Sequence, residues 1–300
     1  MKRILILLLA LALCIPAAVL ADPLPLDLTG GAPYTVKYSS DLEVYEDPTI
    51  RVERHRVGSP REEFGCTYYY AIIDIKDPTQ LRTYPADGKH FVSNSRFPAV
   101  TMAKRVNAVL AINGDFTGAF SGNKSNTYVL RMSQVWRDTV ESNLDMLLID
   151  DLGDFHVVTR ENDLEHMDKT TINGRPVINA FQFGPALIID GEPVADEILT
   201  DYSRSPAYAE PDRLGQRMVF CQLDTLKYMV VCCAHYGASL PTMREIVRHI
   251  APECKVAFTL DGGESTQMIF LGRKINNVKE GGKDRGITDI IYFASANKED

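Results

Sequence analysis

Tryptophan occurs once in this 300-residue chain, at Trp136, and histidine six times. No basic run appears anywhere, and the formal charge is −8. The chain therefore offers no electrostatic footprint for nucleic acid. The histidines form no nucleophile–base arrangement, and His235, in Ala234-His235-Tyr236-Gly237, reads as structural. Without triad spacing a serine nucleophile has no support. No repeat or low-complexity tract is present, and past the N-terminus no segment is apolar for long enough to cross a bilayer.

Cysteine is scarce and lacks zinc spacing. Lys2 and Arg3 head an apolar core, Ile4 to Leu13, and Val19-Leu20-Ala21 offers a cleavage site before Asp22. Residues 1–21 are thus expected to be a signal peptide, and the protein to be secreted or extracytoplasmic. A lipoprotein anchor at Cys14 is disfavoured by the bulky Leu13 before it. Cleavage leaves Cys66, Cys221, Cys232, Cys233 and Cys254, an odd number, so at least one thiol stays free or pairs between chains. Cys232 and Cys233, adjacent in a strand-like run, must face opposite ways. The set reads as buried apolar fillers, with one disulfide as an option.

What is present is a globular composition, 45% apolar and 24% charged. Residues 22–49, rich in Pro, Asp and Gly, read as an extended lead-in. Short apolar runs predict strands near 50–56, 68–75, 108–112, 145–149, 156–159, 186–190, 217–223, 226–233, 255–260, 267–271 and 287–293. Helices are expected over 98–107, with proline in the first turn, and over 241–250 behind a Ser239 cap. Strands outnumber helices without regular alternation, which predicts an α+β fold. Its strand-rich mixed sheets and few packed helices would form a single compact domain over 50–296, before a charged tail at 297–300.

Several strand ends carry polar groups. Thr259-Leu260-Asp261-Gly262-Gly263-Glu264-Ser265-Thr266-Gln267 follows the apolar Val256-Ala257-Phe258. Ala108-Val109-Leu110-Ala111-Ile112 ends in Asn113-Gly114-Asp115. Phe183-Gly184-Pro185-Ala186-Leu187 runs to Asp190-Gly191, Gln216-Arg217 heads a strand, and Asp284-Arg285 with Thr288-Asp289 enters the last one. Acids before glycines suit turns as well as sites, since glycine lets the backbone turn sharply and come close to a neighbouring group.

In this order the stretches resemble the phosphodiester glycosidase family. It includes the lysosomal enzyme that removes N-acetylglucosamine from a sugar phosphodiester, and many secreted bacterial relatives. Residues 97–116, 183–191, 216–247, 255–271 and 284–293 follow the family pattern. Four positions depart from it: Glu264 replaces a third glycine, Thr259 an asparagine, Cys221 a glycine, and Asp115 the second glycine of Asn-Gly-Gly-Phe. The resemblance implies a secreted glycan hydrolase that cleaves a sugar-1-phosphate phosphodiester at the glycosidic bond.

That chemistry passes through an oxocarbenium-like state served by carboxylates, and a phosphate leaving group calls for a forked cation. Asp261, Asp115 and Glu264 are the candidate catalytic residues. Asn113, Gly114, Arg217, Gly262, Gly263, Ser265 and Arg285 are the candidate substrate-binding residues. Each has a plainer reading, as a turn acid, a buried amide or a structural salt bridge. Trp136 and Tyr68-Tyr69-Tyr70 could be sugar platforms, though aromatic strand filling accounts for them. The sequence establishes no cofactor. Asp115, Asp261 and Glu264 could together offer oxygens to a divalent cation. The alternatives are a metal-dependent phosphodiesterase on glycan phosphodiesters and a non-catalytic envelope glycan-binding protein. The partner in every case is a glycan or sugar phosphate.

Overall fold

The computed structural model of the chain describes residues 35–39, 41–58, 63–116, 127–204, 212, 214–233, 237–276 and 284–297. The expected signal peptide, His235 and residues 298–300 lie outside them. In chain order come β1 Thr35–Tyr38, β2 Leu42–Glu46, β3 Ile50–Val57, β4 Tyr68–Ile75, β5 Leu81–Pro85 and helix α1 Ala99–Arg105. Next are β6 Leu110–Asn113, β7 Val129–Arg131, β8 Gln134–Arg137, β9 Asp145–Asp150 and β10 Phe155–Val158. Then follow β11 Thr171–Ile172, β12 Arg175–Phe183, β13 Ala186–Ile189, β14 Glu192–Pro193 and α2 Asp196–Leu199. The last are β15 Met218–Asp224, β16 Lys227–Cys233, α3 Leu240–Ile250, β17 Val256–Leu260, β18 Met268–Phe270, β19 Arg273–Lys274 and β20 Asp289–Phe293.

The fold is α+β and strand-rich. The strands form three sheets, with orders β1-β2-β3-β4-β16-β15-β17-β13-β14, β10-β9-β12-β7-β8 with β11 on β12, and β19-β18-β6-β20-β5. The central ladders that carry the site are antiparallel, β15 with β17 and β20 with β6 among them, rather than mixed in direction. The lead-in is not merely extended chain: β1 and β2 pair onto β3 and widen the first sheet.

Period-two burial makes these layers possible. Phe220, Phe258 and Leu260 of the nine-stranded sheet share one core with Ile112, Phe270 and Phe293 of the five-stranded sheet, and with Leu147 and Phe181 of the third. The opposite face of the nine-stranded sheet, with Val219, Val231 and Ala257, packs under Leu240, Met243, Ile246 and Val247 of α3. Those four recur at helical spacing, and the Ser239 side chain accepts a bond from the Thr242 N–H at the helix start. Helix α1 covers the far face of the five-stranded sheet through Ala99, Met102 and Ala103.

Cys232 falls in the inter-sheet core and Cys233 under α3, as alternation requires. All five described cysteines are buried and free, so the optional disulfide is absent among them. The three tyrosines of β4 belong to the sheet, where Tyr70 stacks on His55 at 4.4 Å.

Candidate functional site

Two facing sheets end at the same place. β17 of the nine-stranded sheet stops at Leu260 and delivers Asp261; β6 of the five-stranded sheet stops at Asn113 and leads to Asp115. The buried amide of Asn113 ties the ends together. Its Nδ2 donates to the Asp261 carbonyl at 2.8 Å, and its Oδ1 accepts from the Gln267 N–H at 3.2 Å. Gln267, also buried, accepts from the Ala99 N–H at the head of α1 and donates to the Arg285 carbonyl, each at 2.9 Å. Where the ladder hydrogen bonds run out, side-chain amides thus satisfy the backbone.

Asp261 is buried, 9% exposed. Burial is the chief reason its carboxyl is pushed up to about 6, and the charge of nearby Asp115 adds to it. The Ser265 hydroxyl, Arg285 and the Gly262 N–H pull the other way. Arg285 reaches the Ser265 hydroxyl at 3.4 Å and the Glu264 carboxylate at 3.1 Å. Glu264 is the exposed member of this set, with 55% of its side chain open to solvent.

Asp115 is held by a charged cluster. Its Oδ2 accepts from Arg137 at 3.2 Å, its Oδ1 lies 3.6 Å from Arg131, and its N–H donates to Asp289 Oδ1 at 2.6 Å. Arg131 is wholly buried; its Nε donates to Asp289 Oδ2 at 3.0 Å. Desolvation raises the Asp115 carboxyl above the ordinary range and Asp289 adds to this, while Arg131 and Arg137 oppose it.

The glycines serve the protein's own backbone. A Cβ on Gly262 would lie 2.5 Å from the Gln216 carbonyl, which accepts from the Gly263 N–H at 2.8 Å. A Cβ on Gly114 would lie 2.6 Å from Asp289 Oδ1. Both positions need glycine for close approach inside the fold.

Asn113, Asp115, Asp261, Ser265 and Arg285 are therefore brought together, with Glu264 at the rim. Arg217 heads the strand beside them, since Met218 pairs with Leu260. Its guanidinium, however, donates to the Ala238 carbonyl at 3.2 Å, toward the turn that enters α3. The three candidate acids do not gather as a cation cage: Asp115 faces arginines and Glu264 sits on Arg285. Among the described residues no three His, Cys, Asp or Glu side chains group as a metal site. Arg131, Arg137, Asp289 and Gln267 were not foreseen as site residues. A buried arginine carries no local sequence signal, although Asp289 and Gln267 lay within stretches singled out above. Trp136 adjoins Arg137 in β8 and packs edge-on to Phe91 at 5.5 Å.

Comparison with known proteins gives a family model, described as phosphodiester glycosidase, that matches residues 106–294. Among solved structures the fold is similar to the zebrafish N-acetylglucosamine-1-phosphodiester alpha-N-acetylglucosaminidase catalytic domain auto-inhibited by its pro-peptide. The TM-score is 0.65 at 14% identity, covering 89% of this chain and 92% of that one. A hypothetical protein from Synechocystis is similar at TM-score 0.54 and 13% identity, covering 87% of this chain and 71% of that one. No curated protein matches the sequence significantly.

Proposed function

The chain belongs to the phosphodiester glycosidase family, and we propose that it hydrolyses a sugar-1-phosphate phosphodiester at the glycosidic bond, outside the cytoplasm. The observation that carries this reading is the pair of buried carboxylates, Asp261 and Asp115, at one junction of two sheets with guanidinium groups beside them. Two carboxylates suit a reaction at an anomeric carbon, and arginines suit the phosphate that departs.

In this reading the oxygen of water ends on the anomeric carbon and the bond from that carbon to the phosphate oxygen breaks. The phosphate monoester leaves with that oxygen. Asp261, with a pKa of about 6, is mostly ionised at neutral pH and serves as base or nucleophile. Asp115 is the second carboxylate, stabilising positive charge on the sugar. Arg285 is assigned to the phosphate, while Arg217, on the Ala238 carbonyl, braces the turn that enters α3. Glu264 neutralises Arg285 at the rim until phosphate takes that guanidinium. Asn113, Gly114, Gly262, Gly263 and Ser265 shape the floor. The relative with the zebrafish name supplies the first substrate class to try, an N-acetylglucosamine-1-phosphodiester.

The test is a panel of sugar-1-phosphodiesters incubated with wild type, Asp261→Asn and Asp115→Asn, with and without chelator. Turnover that survives chelation and is lost in Asp261→Asn supports the proposal. Loss on chelation in wild type would favour a metal-dependent phosphodiesterase. Binding without turnover would favour a glycan-binding role.

A further inference from the structure

We propose that Arg131 and Asp289 are a buried positioning pair that orients Asp115 and sets its ionisation for the reaction assigned above. The inference rests on that assignment of Asp115, and neither residue is accounted for by it. Arg131 is wholly buried and Asp289 is 1% exposed. A charge so deep is retained only when it is paired. Arg131 is held from several sides. Nε donates to Asp289 Oδ2 at 3.0 Å, Nη1 to the carbonyls of Leu130, at 3.1 Å, and Ala180, and the guanidinium lies 3.9 Å over the Phe181 ring. Such bracing fixes where the remaining nitrogen points.

That nitrogen, Nη2, faces Asp115 Oδ1 at 3.6 Å, and among the described residues neither buried atom has a hydrogen-bond partner. Two unsatisfied atoms of opposite charge, held just beyond bonding distance, are costly for a purely structural contact. Asp289 holds the other side of the same turn. Its Oδ1 accepts the Asp115 N–H at 2.6 Å and its carbonyl accepts the Gly114 N–H at 3.1 Å. Asp115 thus has its backbone pinned by Asp289 and its carboxylate aimed by Arg131.

Among the described residues the charged groups facing Asp115 are Arg131 from β7, Arg137 from β8, Asp289 from β20 and Asp261 from the end of β17. Asp289 and Asp115 share one guanidinium, so removing either charged partner must move Asp115 in a predictable direction. Asp289→Asn leaves the whole charge of Arg131 to Asp115 and favours its ionised form. Arg131→Met removes that charge and favours the protonated form. A scaffold role would lower stability or activity without this opposition of sign.

The experiment uses the full chain labelled with 13Cγ-aspartate, the Asp115 resonance being identified by its loss in Asp115→Asn. Its titration midpoint is read from pH 4 to 9 in wild type, Asp289→Asn and Arg131→Met. In parallel, kcat and KM are measured on an N-acetylglucosamine-1-phosphodiester. The expected result is a midpoint lower in Asp289→Asn and higher in Arg131→Met, each by on the order of one pH unit. The expected kinetic effect is a fall in kcat of about tenfold or more with KM little changed. Arg131→Lys, which keeps the charge, should return the midpoint toward wild type and serves where Arg131→Met does not fold. Shifts in the same direction, or none, overturn the pair's role. Opposed shifts without turnover of any substrate would keep the positioning pair and sink the hydrolase reading; turnover without opposed shifts would do the reverse.

Discussion

Neutralising Asp261 should make the protein more stable while removing its activity. The carboxyl rises from 3.8 to about 6 in the folded chain, mainly through burial. Two pH units at ~1.4 kcal/mol each give a native-state cost of about 3 kcal/mol for the ionised group. The sign follows from proton binding. The folded carboxyl holds its proton more tightly than the unfolded one, so the cost is absent below about pH 4, grows from there to about 6, and is full above that. Asparagine cannot ionise, and its carbonyl can still accept from Ser265 and the Gly262 N–H. Its new NH2 group lacks an assured partner, which offsets the gain by roughly 1 kcal/mol. Asp261→Asn should therefore be more stable by roughly 1–3 kcal/mol at pH 7.5, or ~2–5 °C in Tm. The assay is calorimetry of wild type and variant between pH 3.5 and 8. The gain should close as pH falls from 6 to 4. A variant no more stable than wild type at pH 7.5, or a gap independent of pH, would mean that the ionised Asp261 carboxylate carries no burial cost.

Other consequences are equally direct. As base or nucleophile, Asp261 must be ionised, so kcat should fall tenfold per pH unit below about 6, read from a pH–rate profile. Gly114→Ala puts a methyl 2.6 Å from Asp289 Oδ1, a carboxylate braced by Arg131 and the Asp115 N–H. Denaturant unfolding should show a loss of about 1–3 kcal/mol. Burial raises the thiols of Cys66, Cys221, Cys232 and Cys233. A disulfide reagent should therefore leave these four unmodified in the native state and modify them after denaturation.

How far sequence led depended on where polar residues sat. β3 and β4 were legible to within a residue because apolar and β-branched side chains alternate or run together there. α3 was legible from its Ser239 cap, Pro241 and apolar spacing. β12 was not: Arg175-Pro176 opens it, and Asn179 and Gln182 interrupt it. Those amides are core residues all the same. Gln182 accepts the N–H groups of Tyr128 and Glu141, and Asn179 that of Met132. Buried amides that replace ladder bonds look like loop residues in a sequence. The β15–β16 hairpin turns at Thr225-Leu226, with Leu226 at φ 54°, a conformation that side-chain propensity disfavours. The same limit applied at the site. Asp261, Asn113 and Asp115 announced themselves beside glycines at strand ends, whereas Arg131 and Asp289 acquire meaning only when β7 and β20 meet β6. Of the predicted cations, Arg285 joins the cluster, while Arg217 turns to the Ala238 carbonyl.

A glycosidase and a phosphodiesterase differ in which bond of the diester breaks. Hydrolysis of an N-acetylglucosamine-1-phosphodiester in 18O-labelled water, followed by mass spectrometry of both products, reads it directly. Label is expected on the anomeric hydroxyl of the released sugar and none in the phosphate monoester, with turnover abolished in Asp261→Asn. Label in the phosphate would mean that the phosphorus–oxygen bond is cut and that the protein is not a glycosidase.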